Sequence, residues 1–486
     1  DGASEDTGSE ESYNVVIEWL STGRVPTEEN MRKIEQAINE ITEPAIGVTV
    51  TLYPVQLSNL ESGNKLAIST GEKIDLICSV GTGVGHLVNA GLIIELDDLL
   101  EKYGHDMKET LGDALKGGYY DGKLYGIPNA YIQGESYGFN ARADLLEKYG
   151  IEIDPDKYYT MEEIDEIFAT VKAGEGDGFY CIAGIQSTSD LFTQYLGVVD
   201  TLGATTASGG LLLKDNWDNT TVENIYASDQ YAEYAQQMYE WAQKGYIPAD
   251  AASNTESGIE QIRAGNFLGR FYYIDGSAGT DFEKQTGYKC ALIRMTEPYK
   301  VTSRFQNILW SIPITSENPE KAFQFLNMLY GDNDIDTILQ FGLEGETWQV
   351  IEEDDKGNRV IDFVDGLDAA TAPYYCYAGV YGDRLSWPIW APDGLDFNEK
   401  LRELNESIDK VSPALGYCFV ITDEVSAKYS AVSSVISEYV GVVSAGAVDP
   451  KELLPKFIEE LEVAGINDVI AENQRQLDAW LAEQNN

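Results

Sequence analysis

Tyr120-Asp-Gly-Lys-Leu-Tyr-Gly-Ile-Pro128-Asn-Ala-Tyr131-Ile-Gln133-Gly-Glu135-Ser-Tyr137-Gly-Phe-Asn140 holds a turn, a loop and a strand within 21 residues. Asp121-Gly122 lies between two apolar, aromatic runs, which is the two-residue signal of a β-hairpin. Pro128 has no N–H to give to a ladder and stops the second strand. Tyr137 to Asn140 is strand-like again and runs into a helical pattern over Ala141 to Tyr149. A turn, an aromatic loop and a crossing strand this close together mark a place where one lobe hands over to another.

Before this stretch the chain alternates strand and helix. Val15-Val16-Ile17 is a buried-strand run ending at Glu18-Trp19. Thr27 caps a helix through Ile41, with Met31, Ile34, Ile38 and Ile41 on one stripe. Val48, Val50 and Leu52 alternate as a second strand, Leu57 to Thr70 reads helical, and Ile74 to Cys78 is a third strand. This order is the signature of parallel βαβ units. Ligands of such sheets sit beyond the carboxyl ends of the strands, which points at Trp19, at Ser79 to Gly85 and at the loop after Pro128. Gly81-Thr-Gly83-Val-Gly85-His86 has no glycine at the third position that a dinucleotide fingerprint requires and reads as a loop at a cleft edge.

After the stretch the same grammar returns. Thr160-Met-Glu-Glu163 is a capping box, Tyr180 to Ile185 a strand ending at Gln186-Ser187, and Ser228 to Ala242 a helix. Tyr231, Ala235, Met238 and Trp241 share one face of that helix, so Trp241 is expected in the core. Ile259 to Gly265 and Phe267 to Ile274 read as helix and strand, ending at the cleft candidates Tyr273 and Asp275. Lys289 to Met295 and Ile308 to Ile314 are further strands. Asn318-Pro319 opens a helix with proline in its first turn. Ala372 to Pro392 carries Tyr374, Tyr375, Tyr377, Tyr381, Trp387 and Trp390 outside any periodic pattern. Aromatics that dense on a loop suggest a stacking site, with Trp387 and Trp390 as its platforms. From Thr422 the chain is helical to its last turn, and Trp480 is expected in the core.

Composition excludes several functions. With 82 acidic against 33 basic residues, the net charge is −49. Such a surface repels phosphate backbones and anionic lipid, so neither nucleic acid nor a membrane surface is expected as a partner. At 486 residues the chain is too long for one core, and two lobes are expected. Five cysteines are scattered without a CxxC, so no disulfide framework is expected, and Cys78, Cys181 and Cys290 read as small buried hydrophobes. No apolar run reaches the length of a membrane span. Metalloprotease, hydrolase-elbow and P-loop signatures are missing, and two histidines, His86 and His105, leave little for histidine-based catalysis. Asp332-Asn-Asp334-Ile-Asp336 begins like a calcium loop, but lacks its glycine and final glutamate and reads as a helix N-cap region. No catalytic residue, metal or cofactor is expected.

Several segments carry a resemblance. "YDGKLYGIP" (Tyr120–Pro128), "YGFN" (Tyr137–Asn140) and the "DLLEKYGI" helix resemble the extracellular solute-binding proteins of bacterial ABC importers, in the broad group that captures sugars. "AGLIIELDDLLEKYGHD" (Ala90–Asp106) and "NPEKAFQFLNMLY" (Asn318–Tyr330) resemble helix starts of the same family. "FGLEGETW" (Phe341–Trp348) resembles the "YGxEGxHY" segment of a Firmicutes oligosaccharide-binding lipoprotein subgroup, with Thr347 in place of its histidine and Trp348 after it. The stretch from Gly446 to Gln484 resembles that subgroup's C-terminal helical domain. The resemblance implies an α/β, two-lobed, periplasmic-binding-protein-like (type II) fold with a hinge between lobes and a helical C-terminal part. The expected division is a disordered tether at 1–12, lobe 1 at 13–138 and about 312–355, lobe 2 at 139–311 and about 356–420, and C-terminal helices at 421–486. It implies a monomeric, extracellular, non-enzymatic protein, held to the membrane by a lipid outside this chain. It captures an oligosaccharide in an interlobe cleft and delivers it to a permease. Trp19, Tyr131, Gln133, Tyr273, Asp275, Trp387 and Trp390 are the expected ligand contacts, aromatics as platforms for sugar rings and Gln133 and Asp275 for hydroxyls. A glycoside hydrolase, or a receptor for a peptide or other polar ligand, is the alternative.

Overall fold

Asp121 and Gly122 both adopt positive φ, 51° and 74°, and turn the strand Tyr119–Tyr120 onto Lys123–Leu124 in antiparallel register. Successive positive φ values are what a tight hairpin turn demands, and glycine adopts them without steric cost. The computed structural model describes residues 12–21, 24–185, 199–203, 207–213, 217–274, 276, 278–331, 334–376 and 379–484. The expected tether at 1–12, the strand end at Gln186-Ser187, Asp275 and Tyr377 lie wholly or almost wholly outside the described residues.

The chain divides into two units, the first running to Tyr131 and resuming over Phe305–Arg402, the second comprising Ile132–Arg304 and Glu403–Asn486. This differs from the expected division, which gave residues 356–402 to the second lobe. Strand pairing is the reason. Arg359–Phe363 pairs with Trp348–Glu353, and Ile389–Trp390 adds to Arg359–Phe363, so the whole stretch is tied to one unit.

In unit 1, the strand Tyr13–Ser21 lies parallel to Val48–Gln56. The helix Glu28–Ile46 joins them, with the Thr27 side chain accepting from the Asn30 N–H. It buries Met31, Ile34 and Ile38 and runs past the expected end to Gly47, whose φ of 63° closes it. On its other edge Tyr13–Ser21 meets Leu76 through a parallel bridge at Ile17, and Ile77–Val80 follows. Ile308–Ser311 then pairs antiparallel with Ile77–Val80 on one side and Ile127–Pro128 on the other.

The expected stacking loop serves mainly as core of this unit. Tyr374 and Tyr381 are fully buried. Trp19 donates its indole N–H to the Tyr374 hydroxyl at 2.7 Å, and Tyr381 stacks on Trp310 at 5.4 Å. A loop that carries its own large side chains inward needs no periodicity to bury them.

Unit 2 holds a four-stranded sheet in the order Cys290–Arg294, Tyr137–Arg142, Phe267–Tyr273, Tyr180–Ile182. Tyr137–Arg142 is antiparallel to both of its neighbours, and Tyr180–Ile182 is parallel to Phe267–Tyr273. The helix Met161–Glu175 starts in the expected capping box. The helix Asp229–Gln243 buries Tyr231, Tyr234, Met238 and Trp241, and Trp241 is core as expected, lying flat on Phe271 at 6.0 Å. The C-terminal helices Asp423–Ser444, Pro450–Ala464 and Ile466–Gln484 share this core: Val432, Ile436, Tyr439 and Phe457 lie in the same buried cluster as Tyr231 and Trp241.

Cys78, Cys181 and Cys376 are buried, whereas Cys290 and Cys418 are partly exposed. Cys290 thus departs from its expected burial, because it opens an edge strand of the sheet.

Phe457 sits 4.7 Å from Tyr439 and 5.0 Å from Tyr226. Phe457→Ala is expected to cost roughly 3–5 kcal/mol by opening a cavity. Urea unfolding of the variant checks this, and an unchanged midpoint would show that the C-terminal helices contribute little to the unit 2 core.

Candidate functional site

In unit 1, the loop after Val48–Gln56 and the loop after Ile77–Val80 border a pocket of about 600 Å³. It lies at the carboxyl ends of two parallel strands, where the backbone leaves the sheet and side chains of successive loops converge. Asn59, Asn64, Lys65, Ser79, Thr82 and His86 supply its hydrogen-bonding groups. The Asn64 amide donates to the Cys78 carbonyl at 3.1 Å, which fixes its side chain against the strand end. His86 faces Glu61 at 4.0 Å, yet burial dominates and holds its imidazole below the usual histidine range. At neutral pH the ring is therefore mainly uncharged, able to donate from one nitrogen and accept at the other.

Behind this strand end lies Glu18, with no exposed surface. One carboxyl oxygen accepts the Cys78 backbone N–H at 2.8 Å. The other, Oε1, has no hydrogen-bond partner among the described residues. Burial pushes Glu18 up to about 8, so the group is mostly a neutral acid at physiological pH. Asp75, equally buried, accepts from the Tyr13 hydroxyl, the Val16 N–H and the Ser316 hydroxyl at 2.6–2.9 Å. Two buried carboxyls, one on the strand Tyr13–Ser21 and one just before Ile77–Val80, thus have different surroundings, set by how many donors reach each.

Unit 2 offers an aromatic cluster at the corresponding end of its sheet. Phe267–Tyr273 ends where Tyr137–Arg142 begins, so Tyr273 and Tyr137 are cross-strand partners, with ring centroids 4.7 Å apart. Tyr299 lies 6.4 Å from Tyr137, and Trp217 5.6 Å from Tyr299. The buried Glu135 carboxylate accepts from the Tyr137 and Tyr299 hydroxyls at 3.1 and 3.3 Å. Arg304 holds its guanidinium 5.9 Å from the Tyr273 ring and donates to the Ile132 carbonyl. Beside the cluster is a pocket of about 400 Å³ lined by Ser136, Tyr158, Arg294, Glu297, Ser407 and Lys410, among others. Lys410 and Glu297 form an ion pair across it.

The structure separates the expected site residues. Trp19 is 1% exposed and hydrogen-bonded to Tyr374, so it is a core residue of unit 1 rather than a platform. Trp387 is similarly committed: it is buried, and its indole N–H donates to Asp336 at 2.9 Å. Burial raises that carboxyl to about 7. Trp390 is half-buried among Phe341, Phe363 and Tyr375, 4.8–5.7 Å away. Tyr131 is half-buried, with the Arg384 guanidinium 3.5 Å over one face of its ring. Tyr273 belongs to the unit 2 cluster. Gln133 is half-buried in unit 2, where its backbone N–H donates to the Asn405 side chain. Of these, Tyr131, Trp387 and Trp390 are gathered around Arg384 and Phe341.

The sequence pointed at the Ser79–Gly85 loop and at the loop after Pro128, which carries Glu135, but not at Asn64, Tyr137, Trp217, Tyr299 or Arg304. Glu135 and Tyr137 did leave a signal, two residues apart and so on one face of an extended segment. Tyr299 and Trp217 left none, because only tertiary packing brings them there.

Residues 36–338 match the family model described as bacterial extracellular solute-binding protein. Residues 413–482 match a model described as a domain of unknown function. A carbohydrate ABC transporter substrate-binding protein of Streptococcus pneumoniae is 26% identical over 481 residues, spanning 96% of this chain and 91% of that protein. The crystal structure of an N-glycan transport solute binding protein from Streptococcus pneumoniae aligns with a TM-score of 0.82 at 22% identity, over 97% of this chain and 100% of that one. An "HMO binding" ABC-transporter associated solute binding protein from Bifidobacterium longum infantis aligns with a TM-score of 0.64 at 16% identity, over 97% of this chain and 100% of that one. These two structures share the fold.

The buried Glu18 makes stability pH-dependent. Its folded pKa of about 8 lies above the ordinary glutamate value of 4.5, so the folded state binds the extra proton between those values. Its contribution is intact below about 4.5 and is lost as pH rises through about 8, at roughly 1.4 kcal/mol per pH unit. Glu18→Gln should flatten this slope and be the more stable form at pH 9. Urea midpoints measured from pH 5 to 9 test it; parallel curves for the two proteins would refute the assignment.

Proposed function

The chain belongs to the bacterial extracellular solute-binding protein family, and we propose that the solute it captures is an oligosaccharide, which it delivers to the membrane permease of an ABC importer. The observation that carries this reading is the unit 2 pocket, where Tyr158 stands among the hydroxyls of Ser136 and Ser407 and the charged groups of Arg294, Glu297 and Lys410. Sugar rings present C–H faces that lie against aromatic rings, and hydroxyls that both donate and accept. A surface combining aromatic faces with closely spaced donors and acceptors matches both needs. The hydroxyl-, amide- and imidazole-lined pocket of unit 1 has the same hydrogen-bonding character without the tyrosine. The near full-length likeness to a carbohydrate substrate-binding protein supports the same ligand class. Family membership makes the protein extracellular and its role one of binding. We further propose that it acts as a monomer tethered by a lipid anchor.

Polar side chains that pair with hydroxyls select among sugars, because a mismatched stereoisomer leaves a buried polar group unpaired. Aromatic faces contribute affinity with little stereochemical demand. Tyr273→Ala should therefore weaken binding about tenfold, while Ser79→Ala and Asn64→Ala should change the order of preference among related glycans.

Isothermal titration calorimetry against a panel of plant, host and microbial oligosaccharides, with the sugars assayed afterwards, tests the reading. Saturable binding with the sugar recovered intact is expected. Release of shorter sugars would replace the receptor by a hydrolase, and binding of peptides alone would replace the ligand class. An unchanged Kd in Tyr273→Ala would remove that ring from the site.

A further inference from the structure

Unit 1 holds a guanidinium that the fold positions with care and leaves unpaired. Ala130 and the 382–384 segment run side by side. The Ala130 N–H donates to the Gly382 carbonyl at 3.0 Å, and the Arg384 N–H donates to the Ala130 carbonyl at 2.9 Å. Gly382 has φ +51°, and a Cβ there would lie 2.0 Å from the Leu329 carbonyl oxygen, so only glycine fits this turn. The two backbone bonds set Arg384 beside Tyr131. Its guanidinium carbon lies 3.5 Å from the centre of the Tyr131 ring and 5.5 Å from that of Trp387. Gly379 also borders the group, where a Cβ would stand 3.4 Å from the same carbon.

Among the described residues no carboxylate stands within ion-pair distance of this guanidinium, and no carbonyl or hydroxyl accepts from it. Arginines elsewhere in the chain are matched. Arg142 pairs with Asp144 and donates to the Gly265 carbonyl, and Arg304 and Arg402 donate to the Ile132 and Leu385 carbonyls. The carboxyls nearest to Arg384 in the fold serve other donors. Asp383 accepts the Leu385 N–H at 3.0 Å, and Asp336 accepts the Trp387 indole N–H at 2.9 Å and the Thr337 N–H at 2.7 Å. With 82 acidic residues against 33 basic ones, the missing partner is a matter of placement, not of supply. An unpaired cation held against apolar surface costs stability, which stacking on an aromatic face offsets only in part. Arg384 as a whole is half-buried. Nε is the buried unpaired atom of its guanidinium, so the two terminal nitrogens stay open to a ligand.

We propose that Arg384 is a specificity-determining residue whose terminal N–H groups pair with a carboxylate carried by the sugar ligand, a uronic or sialic acid unit. This rests on the sugar-binding reading above and narrows it to acidic oligosaccharides. A planar guanidinium meets the two oxygens of a carboxylate with two parallel bonds. The Tyr131 ring and the Ala130 backbone bonds fix the group before a ligand arrives, so little freedom is lost on pairing. A neutral sugar in the same place leaves the cation unpaired, which discriminates against it. The net charge of −49 opposes an anion at long range, but salt screens that field beyond about 10 Å and leaves a direct contact nearly untouched.

Calorimetry on the full chain compares neutral oligosaccharides with counterparts of the same linkage that carry glucuronate or sialic acid. One acidic form should bind about tenfold more tightly than its neutral counterpart, and which one does so identifies the source of the carboxylate. Arg384→Gln should erase that preference and leave the affinity for the neutral glycan as it is. Arg384→Lys keeps the charge without the fork and should fall between the two. Arg475→Gln removes the same charge from an exposed pair with Glu472 and should change nothing. Equal affinity for neutral and acidic glycans in the wild type, or a preference that survives Arg384→Gln, would overturn the proposal. A second readout needs neither an oligosaccharide nor a binding-deficient variant. The NMR signal of the Arg384 Nε–H, followed during titration with free glucuronate and with glucose, should move for glucuronate alone. A signal that stays still, or that moves equally for both, refutes the carboxylate site. A signal that moves for glucuronate alone in a protein that binds no oligosaccharide refutes the oligosaccharide reading and keeps the carboxylate site.

Discussion

Ile308–Ser311 is the strand on which unit 1 depends. It hydrogen-bonds to Ile77–Val80 along one edge and to Ile127–Pro128 along the other. Yet the chain reaches it only after passing through Ile132–Arg304 of unit 2. The sheet therefore closes through a contact of long sequence separation, whose loop entropy must be met before the pairing contributes. The chain meets that cost with a strongly apolar strand: all four of its residues are buried, and Trp310 stacks on Tyr381 while donating to the Val380 carbonyl. Pro128 fits because it sits at the sheet's edge, where the missing N–H takes no bond from a ladder.

The same long-range logic explains why aromatic residues are so plentiful. In unit 1, Trp19, Trp310, Tyr374 and Tyr381 come from distant segments and each finds a hydrogen-bond partner for its polar atom. Tyrosine and tryptophan suit such places because one side chain fills a large volume and its polar end ties down a carbonyl or hydroxyl. In unit 2 the rings take two routes. Trp241, Phe168 and Phe271 pack edge to face and flat within the core, whereas Tyr137, Tyr273, Tyr299 and Trp217 gather at the end of the sheet around Glu135.

Buried carboxyls show how position decides chemistry. Glu18 and Asp75 are both without exposure in unit 1. Three donors reach Asp75, but one oxygen of Glu18 has none among the described residues, and burial leaves that acid protonated at neutral pH.

By itself the sequence determined the elements and the family. The Asp121-Gly122 turn, the Thr27 and Thr160 caps, the alternation at Val48 to Leu52 and the core face of Asp229–Gln243 are local consequences of backbone sterics and side-chain period, and they read correctly without knowledge of neighbours. The candidate site read less well. Trp19 and Trp387 stood at promising places, a strand end and an aromatic loop, but both are committed to the core. Trp217 and Tyr299 carried no signal, yet they meet. Periodicity reports which way a side chain faces relative to its own element, not what the opposite surface is. Only the tertiary structure decided that aromatics outside periodic elements fill the cores of both units, and that the C-terminal helix Ile466–Gln484 bonds the backbone at Thr220 and Val222.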